Sequence, residues 1–124
     1  MSGERFLLDS VIVIDHLNGH RAATDFLLAA EGATISVITR AEVLTGFDAR
    51  DRAPVAALLD RFRLIAIDRA IADAAADLRR TWRWRLADAL QAAVALRGGL
   101  WLATRNTRDF PPKRHRFVRV PYTL

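Results

Sequence analysis

The sequence predicts a single α/β domain, a three-layer α/β/α sandwich around a central, mostly parallel sheet. Short apolar runs of strand length alternate with longer segments of helical period along the 124 residues. Strands separated by helices pair in parallel through right-handed crossovers, which place helices on both faces of the sheet. No repeat, linker or low-complexity tract interrupts the pattern, so one domain over residues 1–124 is expected.

The first half of the chain predicts two strands and four helices. Phe6-Leu7-Leu8 is a buried strand that ends at Asp9, and the helix after it is closed by Asn18-Gly19. Pro54, three residues after Asp51, marks a helix start. The predicted elements are a strand at 6–8, helices at 11–17 and 20–30, a strand at 33–36, a helix from about 37 to 48, and a helix beginning near 51.

The second half predicts three strands and two helices. Asp68 is expected to cap the first of these helices, and Gly98-Gly99 to stop the second. The second helix is apolar nearly all round, which predicts that it is buried. We expect Trp101, in a central strand, to lie in the core. The predicted elements are a strand at 64–67, a helix after 68, a helix at 87–96, and strands at 100–103 and 117–120.

Composition limits the class of protein. The 52% hydrophobic content is enough to close one core, and the absence of cysteine excludes disulfides and thiolate metal sites. Only three apolar residues separate Met1-Ser2-Gly3-Glu4-Arg5 from Asp9, too few for a secretory signal, and no run approaches the roughly 20 apolar residues of a membrane span. A cytoplasmic protein with no membrane association is expected. The net charge of +5 favours a polyanionic partner.

Four acids stand in apolar surroundings. Asp9 ends the first strand, Asp88 lies in the first turn of the most apolar helix, and Asp109 follows the strand at 100–103. Strand ends and helix starts of this kind face one edge of a parallel sheet, where sites of such folds lie. Glu42 comes four residues after Ile38, which puts it on or beside the buried stripe of its helix.

Carboxylates gathered in a partly dry cleft repel one another unless a cation neutralises them. Oxygen ligands favour Mg²⁺ or Mn²⁺, and such an ion leaves coordination positions for a phosphate. The pattern therefore indicates a metal-dependent phosphodiesterase. Each Asp has a plainer interpretation as a helix cap or turn residue, and this alternative stays open for any one of them.

Four blocks around these acids resemble the PIN-domain family, and within it the VapC-type toxins. They occur in the family's order and span nearly the whole chain. Val11 departs from the pattern, because the family often carries a polar residue there. The blocks are Leu7-Leu8-Asp9-Ser10 with Ile14-Asp15, Ser36 to Gly46, Asp88 to Ala93, and Leu102 to Phe110.

The resemblance implies a Mg²⁺- or Mn²⁺-dependent endoribonuclease, the toxin of a type II toxin–antitoxin pair, with Asp9, Glu42, Asp88 and Asp109 as catalytic and metal-binding acids. It implies supporting roles for Ser10 beside the first acid and for Thr104 and Asn106 beside the last. Asp15 is expected to be structural or to support the site indirectly. It also implies a homodimer and a heterotetramer or larger assembly with a cognate antitoxin whose tail packs near the site.

A basic and aromatic segment, residues 79–85, lies just before Asp88. Arg80, Trp82, Arg83, Trp84 and Arg85 are expected to contact RNA or the antitoxin, since Arg binds phosphates and Trp stacks on unpaired bases. The alternative, which the sequence leaves open, is that Trp82 or Trp84 packs in the core or a dimer groove. His16, His20 and His115 show no ligand spacing, so surface or capping roles are expected. The loop at 113–116 is expected to be solvated.

Other functions are weighed against this one. A PIN-like nuclease on structured DNA would carry the same acids, but the chain has no room for helical clamp insertions. A phosphoacceptor receiver needs a Lys near the pocket, and the chain's single Lys, Lys113, lies late in a loop. A phosphatase would carry Asp-x-Asp where Asp9-Ser10-Val11 stands. A catalytically silent PIN-like scaffold stays open, although the presence of all four acids argues against it.

Overall fold

The computed structural model describes residues 5–30 and 32–124. Within these ranges, five strands and six helices alternate. The expectation drawn from the first four residues lies outside the described part of the chain. In order, the elements are β1 (Phe6–Leu8), α1 (Ser10–Leu17), α2 (Arg21–Ala29), β2 (Thr34–Ser36), α3 (Val37–Thr45), α4 (Arg52–Leu59), β3 (Arg63–Ile65), α5 (Arg69–Trp82), α6 (Leu86–Gly98), β4 (Trp101–Ala103) and β5 (Val118–Arg119).

The sheet has the strand order β3-β2-β1-β4-β5, and every pairing is parallel. Leu7 in the central strand β1 is opposite Thr34 of β2 and Leu102 of β4. The strand order runs one way from β1 to β3 and the other way through β4 and β5, so it reverses between β1 and β4. In an open parallel sheet this reversal opens a crevice at the carboxyl ends of the two strands.

Two hydrophobic clusters lie on opposite faces of the sheet. Because successive side chains of a strand point to opposite faces, Leu7 joins the cluster under α5 and α6, while Leu8 joins the cluster under α1, α3 and α4. Leu102 and Ala103 of β4 divide between the clusters in the same way. Helices therefore cover both faces, and the expected three-layer α/β/α sandwich is confirmed.

Side-chain caps begin three of the helices. The Asp68 carboxylate accepts a hydrogen bond from the Ile71 amide at 2.9 Å, which confirms the expected cap of α5. The Ser36 hydroxyl accepts from the amides of Ile38 and Thr39 at the start of α3. Asp9 caps α1 in the same manner. These bonds satisfy amides that a helix start leaves without partners.

The observed element boundaries lie within three residues of the expected ones, and β1 has the predicted bounds. The helix predicted to reach residue 48 ends at Thr45, because the Gly46 amide bonds back to the Val43 and Leu44 carbonyls and closes the last turn. The last strand keeps only Val118–Arg119 of the predicted 117–120. The helix predicted at 87–96 runs to Gly98 and ends at Gly99, whose φ of 63° is the left-handed cap expected of glycine.

Two side-chain placements correct the sequence-based expectations. His115, expected at the surface, is buried, because the rings of Trp82, Trp84 and Phe117 surround it. Trp101, expected in the core, is only partly buried at the start of β4, and the Arg119 guanidinium lies 3.6 Å from the centre of its ring. In the described ranges, no helix is both long and apolar enough to cross a membrane.

Candidate active site

Asp9 lies at the carboxyl end of β1, beside the reversal in strand order. The Asp9 amide donates to the Ala103 carbonyl at 3.0 Å, which fixes the backbone against β4. The residue is 7% exposed, and one carboxylate oxygen accepts from the Ser10 amide at 2.9 Å. The other accepts from the Thr104 hydroxyl at 2.6 Å. Asp9 is thus both the cap of α1 and an acid held in one orientation at the crevice.

A buried polar network, formed by Ser36, Thr39 and Gln91, lies against Asp9 on the interior side of the crevice. The Gln91 amide nitrogen donates to the Thr39 hydroxyl at 2.8 Å and lies 3.5 Å from an Asp9 oxygen. The Thr39 hydroxyl donates to the Leu8 carbonyl at 2.9 Å, while the Ser36 hydroxyl donates to the Gln91 side-chain carbonyl. The network therefore links α3 and α6 to the end of β1.

None of these three residues was predicted from the sequence as a site residue. One signal could have found Gln91, which is the single uncharged polar side chain in the apolar run from 86 to 96. A polar group in a buried helix needs a hydrogen-bond partner. Nothing in the sequence alone identifies the partners on α3.

Asp88 lies where burial and neighbouring negative charges both disfavour its ionised form. Its carboxyl lies partly buried in the first turn of α6, and burial is the largest cause that raises its pKa, which reaches about 6. The negative charges of Asp109, Asp9 and Glu42 raise the pKa further, and Arg85 opposes them. The charges of the other three acids singled out from the sequence therefore all act on Asp88. Asp9, Glu42, Asp88 and Asp109 are named here the acidic cluster.

Glu42 forms the rim of the acidic cluster. The residue as a whole is exposed and lies beside the buried stripe of α3, which carries Thr39 and Val43. Its carboxylate has nevertheless lost water contacts, and this burial is the largest cause that raises its pKa. A hydrogen bond with the Ser10 side chain lowers the pKa, and the charge of Asp9 raises it.

Asp109 ends a loop that hydrogen bonds tie to Asp9. The Thr104 hydroxyl, besides donating to Asp9, accepts from the Asn106 amide at 3.0 Å. The Asn106 side chain then donates to the Asp109 carboxylate at 3.0 Å and accepts from the Asp109 amide at 3.3 Å. Thr104 and Asn106 thus connect the first acid of the cluster to the last through one chain of contacts.

Asp15 stands outside the acidic cluster and is neutralised. Arg105 donates to both of its carboxylate oxygens, at 2.6 and 2.8 Å, and the Tyr122 hydroxyl donates at 2.8 Å. The Arg105 hydrogen bond is the largest cause that lowers the pKa of Asp15. The ion pair between Asp15 and Arg105 therefore joins α1 to the loop that carries Asn106 and Asp109.

The donor set fits a hard divalent cation bound largely through water. In the described ranges, no three His, Asp or Glu side chains form a group arranged to hold a metal ion directly. Mg²⁺ needs only one or two carboxylates, with waters filling its other positions. Burial and the charges of three neighbouring acids raise the pKa of Asp88 against the opposing charge of Arg85, and a bound cation would favour its ionised form.

The segment from 79 to 85 divides between the core and the surface. Trp84 is 6% exposed and donates its indole N–H to the Asp109 carbonyl at 2.7 Å, so it packs in the core beside the acidic cluster. Trp82 is 39% exposed, with its ring stacked on that of Trp84. Arg80, Arg83 and Arg85 are exposed.

Comparison with known proteins gives one consistent result. The PIN domain family matches residues 6–114. Ribonuclease VapC10 of Mycobacterium tuberculosis is 38% identical over 113 residues, 85% of each chain. A toxin–antitoxin complex from Klebsiella pneumoniae superposes with a TM-score of 0.87 at 33% identity, over 98% of this chain and 100% of that one.

A further solved structure, FitAcB from Neisseria gonorrhoeae, shares the fold with a TM-score of 0.79 at 24% identity, over 96% of this chain and 99% of that one. The family match covers most of the chain, including all four acids, and the fold agrees over its length. This protein therefore belongs to the PIN-domain family.

Proposed function

We propose that this chain is an endoribonuclease that cleaves RNA phosphodiester bonds with bound Mg²⁺ or Mn²⁺ and acts as the toxin of a type II toxin–antitoxin pair. One observation carries the proposal: Asp88, whose pKa reaches about 6, is crowded by three other acids at the crevice where the sheet reverses order. Such strain is typical of a site built to bind a cation.

The residues divide the work by their surroundings. Asp9 and Asp88 would hold the ion, because Asp9 is fixed by Thr104 and because burial and like charges raise the pKa of Asp88. When bound, the ion supplies charge stabilisation at the phosphate and lowers the pKa of a water molecule. Asp109 and Glu42, at the edges of the cluster, would orient that water and accept its proton.

The supporting residues act by holding the acids in place. The hydrogen bonds from Thr104 to Asp9 and from Asn106 to Asp109 keep the two carboxylates from turning away from the crevice. The Gln91 network does the same for the backbone at Leu8. Contacts of this kind commonly set ligand orientation at metal sites.

The relatives indicate RNA as the substrate and a protein inhibitor as the partner. The 38% identical relative is named a ribonuclease, and the 33% identical chain belongs to a toxin–antitoxin complex. We extend these properties to this chain, together with a homodimer that forms a heterotetramer or larger assembly with its antitoxin, in the cytoplasm.

The test is cleavage of RNA by the purified chain with Mg²⁺, with Mn²⁺ and with EDTA, followed by sequencing of the fragment ends. Asp88→Asn should abolish cleavage, while Asp73→Asn, on the exposed surface of α5, should leave it unchanged. Full activity of Asp88→Asn, or equal activity in EDTA, would contradict the proposal. Preferred cleavage of flap DNA would favour the DNA alternative, and antitoxin binding without any cleavage would favour the silent scaffold.

A further inference from the structure

The turn between α5 and α6 holds two indoles in an unusual arrangement. Arg83 has a φ of 59°, and it is the single non-glycine residue with positive φ among the described residues. This left-handed residue reverses the chain, so Trp82 and Trp84 stack with ring centres 5.9 Å apart and planes 25° apart. A non-glycine residue in this region is strained, and such strain concentrates at functional sites.

A recess, named here the basic recess, adjoins this turn and the acidic cluster. Arg83, Arg108 and Arg114 line it and are exposed, and no carboxylate forms an ion pair with them in the described ranges. Asp109 lies on its wall and is also part of the acidic cluster, so the two sites are continuous. Three guanidinium groups against one carboxylate leave the recess positive.

Trp82 presents an aromatic surface at the mouth of the basic recess. It is 39% exposed, while the ring of Trp84 covers one side and the edge of His115 contacts it at a centroid distance of 4.5 Å. Burial, and then the charge of Arg114, lower the pKa of His115, so the neutral ring adds no charge near pH 7. An anchored indole beside free guanidinium groups suits an unpaired base and its phosphate.

We infer that the basic recess is a subsite for single-stranded RNA, in which an unpaired base stacks on Trp82 while the adjoining phosphates contact Arg108 and Arg114. The inference rests on the proposed function, because it places this nucleotide next to the bond that the acidic cluster would cleave. A base in a duplex is already stacked on its neighbours and is not free to cover an indole. The subsite therefore selects unpaired RNA.

The experiment measures RNA binding in EDTA, where cleavage does not interfere. A short labelled single-stranded RNA and the same sequence in a duplex are titrated against the whole chain. Combined Arg108→Ala and Arg114→Ala should lower affinity for the single strand on the order of tenfold and reduce its salt slope by about 1.4. Arg97→Ala, at the far end of α6 from Asp88, is the matched control and should change little.

Trp82→Ala should weaken single-strand binding about 5- to 100-fold and leave duplex binding nearly unchanged. Since this variant removes packing against Trp84, Trp82→Phe is measured beside it and should restore most of the affinity. Arg83→Gly keeps the left-handed backbone without the guanidinium and should weaken binding while the fold is retained. Thermal unfolding of each variant confirms that the chain is folded.

Four results would overturn the inference. The first two are unchanged RNA affinity in the Arg108, Arg114 and Trp82 variants, and an equal loss of affinity in Arg97→Ala. The third is an equal dependence of single-strand and duplex binding on Trp82, and the fourth is that the recess variants lose binding to polyglutamate but not to RNA. The last result would assign the recess to an acidic protein segment. Cleavage by the unmodified chain in Mg²⁺ is recorded separately. If it fails while recess variants lose RNA affinity, the proposed function fails, and only the RNA-binding part of the inference stands.

Discussion

Asp15 and Asp88 are two shielded carboxylates with opposite surroundings. Arg105 and Tyr122 donate three hydrogen bonds to Asp15, and the Arg105 bond is the largest cause that lowers its pKa. Burial, together with the charges of three neighbouring acids, raises the pKa of Asp88 to about 6. The first acid has its counterion within the fold, whereas the second is left with more negative charge around it than the chain neutralises.

We propose that this contrast separates a structural charge, Asp15, from a functional one, Asp88. A carboxylate whose charge is balanced by the fold contributes to stability and has little capacity left for a ligand. A carboxylate that the fold leaves unbalanced makes the empty site less stable and gains most when a cation binds. Substitutions at the acids and at the residues that hold them test this division.

Asp9→Asn should reduce RNA cleavage by more than about 100-fold, because loss of a ligand should exceed the 10- to 100-fold effect of losing a residue that only supports one. The variant keeps a side-chain oxygen to cap α1, so the fold should be retained. Initial cleavage rates at saturating Mg²⁺ measure the effect. Mg²⁺ should raise the thermal unfolding temperature of the unmodified chain and not that of Asp9→Asn. An equal rise in both would contradict the assignment of Asp9.

Arg105→Ala should lower the free energy of unfolding by about 3 kcal/mol, because it leaves the buried Asp15 carboxylate without its counterion. Urea unfolding monitored by tryptophan fluorescence gives the value. Arg40→Ala is the control: it breaks the ion pair with Asp60, which is exposed, and should cost less than about 1 kcal/mol. Similar losses in the two variants would show that Asp15 is not a special structural charge.

Gln91→Leu should reduce cleavage about 10- to 100-fold at low Mg²⁺ and lower stability by about 1–3 kcal/mol, because the buried Ser36 hydroxyl loses its acceptor and the buried Thr39 hydroxyl loses its donor. Part of the loss in activity should recover as Mg²⁺ is raised, since Asp9 is displaced rather than removed. An activity loss that Mg²⁺ leaves unchanged, at unchanged stability, would argue against a positioning role.

The two acids should also give opposite pH dependences in metal-free protein. The pKa of Asp15 is lowered on folding, so its contribution is present above its ordinary pKa of 3.8 and is lost as the pH falls below it. The pKa of Asp88 is raised, so its contribution is present below 3.8 and is lost as the pH rises through about 6.

Comparison of unfolding free energies across this pH range isolates each effect. Arg105→Ala should remove the acid-side loss, and Asp88→Asn should remove the decline between pH 4 and 6. Parallel pH profiles for the two variants and the unmodified chain would contradict the contrast between Asp15 and Asp88.

The sequence was sufficient for the layered fold and for the four acids, since apolar runs and isolated charges are local patterns. Phe6–Leu8 and Asp9 could be read directly because a buried strand ends where the first charge stands. Asp88 could be identified in the same way, because it is an isolated charge in the first turn of an apolar helix. PIN-domain resemblance then grouped acids that lie far apart along the chain.

Other features depend on contacts that no local pattern encodes. His115 is buried because rings from two distant segments close around it, although its neighbours along the chain are basic. Gln91 supports Asp9 only because β1 is central and α3 approaches α6 across its end. The counterion of Asp15 is 90 residues away along the chain. Such pairings follow from the tertiary arrangement.

The three residues of β1 leave no tolerance for error. Leu7 belongs to one hydrophobic cluster, Leu8 to the other, and Asp9 follows immediately. A shift of β1 by one residue would turn Leu7 and Leu8 to the opposite faces of the sheet and move the Asp9 carboxylate out of the crevice. The register of β1 therefore sets both the packing of the core and the position of Asp9. A more stable variant should be sought by substitutions in the outer helices and not in this strand.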